Sequence, residues 1–349
     1  MMETRRKLIS VVVPVLNEEH NILALYQALL PIFDALSDRY DSELIFTDNH
    51  STDRTFELAA EIAQDDRRVR VFRFSRNFGF QNSILTGYQK ARGDAVVQID
   101  CDLQDPPSLI LEFVEKWEAG FQVVYGIRKK RKEGWAITQL RALFYRLVDW
   151  LSDYPLPQQA GDFRLVARPI IEELKKMEEP YPYIRGMIAG MGFNQTGIPY
   201  DRQERKRDQS KFNLPRLIGL AVDGILNTSI VPLRVATFTG ISVWLLTCLG
   251  VLYYLIAGLL YGREKWPSGF ATVIIAVLLS LGLNAFFLGI IGEYLGRVYN
   301  HVKKRPTVIV EQCIDSDGYV DLRQWHGTGT DQIAAAARSG GSSPPGRSL

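Results

Sequence analysis

Short apolar runs and helical patterns alternate along the first half of the chain, the signature of βαβ units and a mainly parallel sheet. Residues 8–15 form an apolar run that ends at Pro14 and Asn17-Glu18-Glu19, and they read as a first strand. Helical spacing follows over 21–36. A second strand over 43–47 ends at Asp48-Asn49-His50, and Ser51-Thr52-Asp53 has the composition of a helix cap ahead of 55–63. Residues 69–74 predict a third strand, 82–91 a helix, and 95–99 a buried strand running into Asp100-Cys101-Asp102. One more strand is expected over 123–126, before the basic run 128–132. Polar residues thus gather where strands end, which is where open α/β sheets bind ligands.

The second half is patterned differently. No charged residue occurs over 235–262, nor over 266–292. Each stretch exceeds the roughly 20 residues that span a bilayer, and the link between them is short, so an antiparallel transmembrane hairpin is expected. Two buried core helices are the alternative, but helices apolar on all sides at this length are uncommon in soluble proteins. Tyr253, Tyr254, Tyr261 and Trp266 suit an aromatic belt. Arg216, Arg234, Arg297, Lys303, Lys304 and Arg305 in the flanks outweigh Arg263 and Lys265 in the link, which places both termini in the cytosol. The expected organisation is a catalytic domain over 1–213, interfacial juxtamembrane helices over 214–234, and transmembrane helices over 235–262 and 266–296. A cytosolic segment over 297–326 with a strand near 307–310, and a disordered Gly/Ser/Ala/Pro-rich tail over 327–349, complete it. A closing element of the catalytic domain is the alternative for 214–233.

Bulk composition adds little. At 349 residues the chain can hold a large α/β domain and more, and its averages of 46% apolar and 23% charged residues conceal the uneven distribution. A net charge of +2 gives no basis for nucleic acid or an acidic partner. The three cysteines, Cys101, Cys248 and Cys313, have no metal-ligand spacing and fit a reducing compartment. The run over 8–15 is too short for a signal-peptide core, so the N-terminus is expected to start in the cytosol.

Candidate chemistry centres on Asp100-Cys101-Asp102-Leu103-Gln104-Asp105. Two carboxylates one residue apart at a strand end can share a divalent cation and leave positions for phosphate oxygens, with Gln104 as a further oxygen donor. A turn using Asp before Pro106-Pro107 is the bland alternative. Asp48 is placed to accept hydrogen bonds from a base or ribose, Glu18 to bond a nucleoside or simply to sit in a first helical turn, and Asp53 to cap a helix. Asp162, in Gly161-Asp162-Phe163-Arg164-Leu165, is a candidate general base or acceptor-orienting group; a structural Asp162–Arg164 pair is equally open. Arg202, Arg205, Lys206, Arg207 and Lys211 form either a solvated face or a phosphate clamp.

These motifs resemble a known family. Val12-Val13-Pro14-Val15-Leu16-Asn17-Glu18-Glu19 resembles the opening of glycosyltransferase family 2. Ser75-Arg76-Asn77-Phe78-Gly79, the Asp100–Pro107 segment and Gly161-Asp162-Phe163-Arg164-Leu165 resemble its polyprenyl-phosphate branch, which includes dolichol-phosphate mannose synthases and bactoprenol glucosyltransferases with a two-span C-terminal hairpin. The resemblance implies an α/β GT-A fold and inverting transfer of a sugar, glucose by default, from a UDP-sugar to undecaprenyl phosphate. Mg²⁺ or Mn²⁺ is implied as cofactor, the bacterial inner membrane as location, and a homotetramer as assembly. It implies nucleotide contacts at Pro14, Leu16, Glu18, Asp48 and Asn49, and metal or diphosphate contacts at Asp100, Asp102 and Gln104. Cys101 and Arg128 join the substrate set, Asp162, Asp102 and Arg164 the catalytic set, and Arg205 and Lys211 match an R-x-x-G-x-S-K phosphate segment. Two positions depart from the pattern: Asp48-Asn49-His50 replaces Asp-Asp-Gly, and Asp208 stands where that segment has glycine. A processive polysaccharide synthase is a rival, but the chain lacks a Q-x-x-R-W motif. A non-catalytic membrane partner is the other, and the intact acidic positions speak against it.

Overall fold

The computed structural model describes residues 6–128, 160–177, 179, 182–202, 231–261, 269–303, 306–315 and 318–321. The chain divides into two units, one comprising 1–145, 154–212 and 306–349, the other 146–153 and 213–305.

The first unit is built on a nine-stranded sheet. Its strands are β1 (Lys7–Val15), β2 (Tyr40–Asp48), β3 (Val69–Phe74), β4 (Ala95–Gln98), β5 (Val123–Arg128), β6 (Ala160–Ala167), β7 (Gln195–Tyr200), β8 (Val310–Asp315) and β9 (Gly318–Asp321). The order is β7-β5-β6-β4-β1-β2-β3-β8-β9. The centre β4-β1-β2-β3 is wholly parallel, as the βαβ alternation predicts. Antiparallel pairing enters on both flanks, where β6 lies between β4 and β5 and β8 lies beside β3.

Covering helices are α1 (Ile22–Leu36), α2 (Thr55–Asp65), α3 (Phe80–Lys90), α4 (Leu109–Glu118), α5 (Arg168–Lys176) and α6 (Ile184–Gly190). Alternate residues of the central strands feed opposite faces. On one face Val11, Val13 and Val15 of β1 join Leu25, Leu29 and Phe33 of α1 and Phe113 of α4. On the other, Val12 and Ile45 join Ile84, Leu85 and Tyr88 of α3 and Ile170, Ile171 and Leu174 of α5. Gly87 permits that second contact, because a Cβ there would stand 2.1 Å from Val12 Cγ1.

The predicted strands and helices up to residue 128 are present with small boundary shifts. Those of 160–202 were not foreseen. β6 carries Asp162 and Arg164 within its length, and β7 contains Gly197 and Pro199; the first breaks an apolar run, and proline is confined to edge strands such as β7. The strand expected at 307–310 instead begins at Val310, and β8 and β9 extend the catalytic sheet.

The second unit contains α7 (Val231–Tyr261) and α8 (Phe270–Val302), of 31 and 33 residues. Among the described residues no helix is long and apolar enough to cross a membrane. Most described large apolar side chains of both helices are nevertheless exposed, Phe238, Leu246, Leu281 and Leu288 among them. The 214–230 part of the expected interfacial segment and the 327–349 tail lie outside the described residues.

Candidate active site

Three strand ends and their loops form one side of the candidate site. β1 and β2 run in register to the Val15–Asp48 pair, so the loops that follow leave side by side. They are laced together by side chain to backbone bonds. Asn17 N–H donates to Ser51 Oγ (3.0 Å), Glu18 N–H to Thr55 Oγ1 (2.7 Å), and Thr52 N–H to Asn17 Oδ1 (2.9 Å). Asp53 accepts from the Thr55 and Glu19 N–H groups. It thus stands one residue before the N-cap position, Arg54, and ties two loops together rather than capping by position. Glu18 accepts from Asn21 Nδ2 at 2.6 Å, beside the first turn of α1.

Asp48 is fully buried at the end of β2. Its Oδ1 accepts from Ser51 N–H (3.0 Å), while Oδ2 has no hydrogen-bond partner and lies 3.7 Å from Arg73 Nε. Burial raises its carboxyl above the ordinary range, against the lowering pull of Ser51 and Arg73. Asn49 donates to Asn77 (2.9 Å) and accepts from Phe78 N–H (2.8 Å), joining the Ser75–Gly79 motif to β2.

The non-glycine residues with positive φ among the described residues are Asn17, His50 and Leu103, one after each of β1, β2 and β4. A left-handed backbone is uncommon outside glycine, least favourable here for the bulky Leu103, and such strain collects at functional loops.

The second cluster follows from strand register. β4 and β6 pair antiparallel with Gln98 opposite Arg164. Asp100 lies two residues past the end of β4, and Asp162 two residues back along β6, so the two acids come near each other at one end of the sheet. Burial, then the charges of Asp162, Asp105 and Asp102, push the Asp100 carboxyl up to about 7. Gln98 Nε2 donates to it at 3.0 Å. Asp102 accepts from the Gln104 N–H (3.2 Å) and lies 4.0 Å from Arg202. Asp105 is fully buried and gathers three partners: the Tyr200 hydroxyl donates to it, Arg128 Nη2 lies at 3.3 Å and Arg202 Nε at 3.4 Å. Arg128 Nε also donates to the Tyr200 hydroxyl at 3.2 Å.

Asp162 is bonded to a partner other than Arg164. Its carboxylate is gripped by Arg185 of α6 through two bonds of 2.8 and 2.7 Å. Burial would raise this carboxyl, but Arg185 foremost, with Arg164 and Arg128, holds it below the ordinary range. Arg164 is buried and donates to the Gly161 carbonyl (2.9 Å), so it is no direct partner of Asp162 by hydrogen bond. Its guanidinium is pulled down by burial. Gly161 lets Arg128 approach, since a Cβ there would lie 3.1 Å from Arg128 Nη2.

Among the described residues no group of three or more His, Cys, Asp or Glu is poised to hold a metal ion. Asp100 and Asp102 are oxygen donors of the kind that a hard divalent cation takes. Gln104 is buried beside them.

Of the residues singled out from sequence, Asp48 and Asn49 meet at one strand end and Asp100, Asp102, Asp162, Arg164 and Arg128 around another. Pro14 is buried within β1, Leu16 is 40% exposed, and Cys101 is 2% exposed, which limits it to backbone contact with a substrate. Arg205 and Lys211 lie outside the described residues. Sequence reading overlooked Arg185, Tyr200 and Arg73 and gave Asp105 no role, because each acquires its part through a partner distant in the chain.

The family model for glycosyl transferase family 2 matches residues 10–175. The chain is 41% identical to the uncharacterized glycosyltransferase YkcC of Bacillus subtilis, over 87% of this chain and 93% of that one. It is 34% identical to the SfII prophage-derived bactoprenol glucosyl transferase of Shigella flexneri, over 87% and 97%. Among solved structures, the glucosyl-3-phosphoglycerate synthase of Mycobacterium tuberculosis, crystallised with Mn²⁺, UDP and glucosyl-3-phosphoglycerate, aligns with a TM-score of 0.42 at 21% identity, over 63% of this chain and 78% of that one. With the first-strand motif, the strand-end carboxylates and the sheet in place, the chain belongs to glycosyltransferase family 2 and carries its GT-A-like α/β fold.

Proposed function

We propose that this glycosyltransferase moves a sugar, glucose by default, from a UDP-sugar to undecaprenyl phosphate by a single inverting displacement. The observation that carries the reading is the pairing of unlike clusters at one end of the sheet. Asp100 and Asp102 form an acidic pole, while Arg185, Arg128 and Arg202 stand beside it on or just after neighbouring elements. A cation with a diphosphate suits the first, and phosphate oxygens suit the second. The relatives named bactoprenol glucosyl transferase support the lipid acceptor.

In this reading Asp48 and Asn49 hold the nucleoside, and Asp100, Asp102 and Gln104 hold Mg²⁺ or Mn²⁺. The bound cation supplies charge neutralisation for the departing diphosphate. A phosphate monoester is largely dianionic at neutral pH, its second pKa being about 6, so its oxygen can attack the anomeric carbon without a strong base. Asp162, held ionised by Arg185, orients that arginine toward the acceptor rather than removing a proton. The glycosidic C–O bond to the diphosphate breaks as the new C–O bond forms, and UDP leaves with the bonding pair.

We further propose that α7 and α8 anchor the chain in the bacterial inner membrane with both termini cytosolic. Support comes from the charge-free stretches over 235–262 and 266–292 and from the outward apolar side chains. Thr237, Ser242 and Asn284 each donate to the backbone carbonyl four residues earlier, which satisfies a polar side chain where water is absent.

The test is to incubate membranes containing the protein with a panel of labelled UDP-sugars, with and without undecaprenyl phosphate. Label from one sugar is expected in the lipid fraction, dependent on both the lipid and a divalent cation. Label in no lipid, or only in polymer, overturns the proposal.

A further inference from the structure

The chain returns to the catalytic sheet after α8, and the strand it adds carries a bulge. β8 pairs with β3 so that Arg73 faces Gln312 and Phe74 faces Val310, which leaves Glu311 as the extra residue between them. A bulge of this kind re-aims one side chain. Here it turns Glu311 toward the loop that follows β2. Its carboxylate lies 3.1 Å from Arg73 Nε and 3.7 Å from His50 Nδ1, and its side chain is only 12% exposed.

Both of those residues bear on Asp48. Arg73 Nε lies 3.7 Å from the unpartnered Asp48 Oδ2, and Arg73 Nη2 donates to the Ser51 carbonyl at 3.2 Å. Its guanidinium is also stacked on Phe56, 4.7 Å from the ring centroid. His50 has a φ of +65°, and its Nδ1 is 3.0 Å from the Phe74 carbonyl, so that nitrogen carries the proton and donates. A histidine in the left-handed region is strained, and these contacts hold it there. Without Glu311, no other carboxylate in this group of contacts would draw Arg73 off the buried Asp48 oxygen that has no hydrogen bond.

We propose that Glu311 is a positioning residue for the nucleoside side of the site, supplied by the strand that follows the two long helices. It holds Arg73 between two carboxylates, so that the guanidinium does not close wholly on Asp48 and the buried end of β2 keeps the shape against which the nucleoside would bind. It also braces His50, the residue that departs from the family's glycine. This inference rests on the assignment of the nucleoside to Asp48.

The test uses the full-length protein and four variants: Glu311→Gln, Glu311→Ala, Glu311→Asp and Asp48→Asn. UDP binding is measured directly, transfer is resolved into KM for the UDP-sugar and kcat, and thermal melts monitor folding. Glu311→Gln and Glu311→Ala are expected to weaken UDP binding and raise KM about 3- to 10-fold, with kcat and KM for the lipid near the parent values, as befits one rearranged ion pair. Glu311→Asp is expected to recover part of the loss. If Asp48→Asn weakens UDP binding but neither Glu311→Gln nor Glu311→Ala does, the inference is overturned and the nucleoside assignment stands. If Asp48→Asn also binds UDP normally, both fall. A Glu311→Gln variant that melts with the parent yet loses kcat rather than UDP affinity also overturns it.

Discussion

Two acids come near each other at one end of the sheet, Asp100 just after β4 and Asp162 in β6, and their surroundings drive them in opposite directions. Burial and three neighbouring carboxylates lift Asp100 to about 7, whereas Arg185 keeps Asp162 ionised despite its own burial. The lesson is one of immediate partners. An acid crowded by other acids is one that a cation would relieve, and an arginine that already grips an aspartate stands beside it to meet an anion. A transferase that brings a metal-bound diphosphate against a lipid phosphate needs both, side by side.

The sharpest way to break this contrast is to remove charge from the acidic pole. Asp102→Asn keeps shape and loses one hard ligand, and transfer is expected to fall on the order of a hundred- to a thousand-fold, the scale seen when preorganised charge stabilisation is lost. The measurement is labelled sugar entering lipid, with circular dichroism and membrane yield to confirm folding. Near-parent turnover would sink the cation assignment.

The next effect lies at the other pole. Asp162→Asn leaves Arg185 without its carboxylate, and Arg185→Ala leaves a largely buried aspartate without its hydrogen-bonded partner. Each should cost about 1–3 kcal/mol of stability, below the range for a wholly buried pair because Arg185 is 35% exposed. The double variant is expected to lose less than the sum of the two. If Asp162 instead serves as an essential base, Asp162→Asn will lose far more kcat than Arg185→Ala, and the aspartate rather than the arginine acts on the acceptor.

Much of this contrast was legible in sequence. The apolar alternation located β1 to β5, and the acids at 48, 100, 102 and 162 stood out because each interrupts or ends a strand or a glycine motif. Their partners did not. Arg185 lies on a short helix with no distinguishing pattern, and Asp105 looked like a pre-proline turn residue although it is fully buried under Tyr200 and Arg128. Ion pairs between residues 23 positions apart, as for Asp162 and Arg185, leave no periodic trace in the chain. Antiparallel β6 was likewise hidden, since its charged positions erase the apolar run that would have announced it.

A smaller effect separates proton from cation at Asp100. Its folded pKa of about 7 lies above the ordinary 3.8, so the folded chain retains a proton that the unfolded chain has released between those values. The contribution of this group to stability is therefore fully present below about pH 4 and is lost as pH rises through 7, by at most about 1.4 kcal/mol per unit. Under the proposed function a divalent cation would take the proton's place. Mg²⁺ or Mn²⁺ should raise the Tm by more at pH 8 than at pH 5.5, and Asp100→Asn should flatten both the pH dependence and the metal dependence. An equal metal effect at both pH values would separate metal binding from Asp100.

The finest probe acts where the two poles touch. Gly161 precedes Asp162, and its missing side chain leaves room for Arg128, which links back to Asp105 of the acidic loop. In Gly161→Ala the new methyl would stand 3.1 to 3.3 Å from the Arg128 guanidinium, closer than ordinary contact, yet the neighbour is the end of a flexible side chain. Arg128 should yield by a few tenths of an ångström rather than the strand giving way, so folding should be almost unchanged. What shifts is the donor pattern that Arg128 offers at the boundary between the poles. A rise of about 2- to 5-fold in KM for the UDP-sugar is expected, with Arg128→Lys, which loses the planar fork, giving a larger rise of the same kind. If Gly161→Ala instead lowers the Tm by many degrees with KM unchanged, the glycine serves strand packing, and Arg128 is no bridge between the two poles.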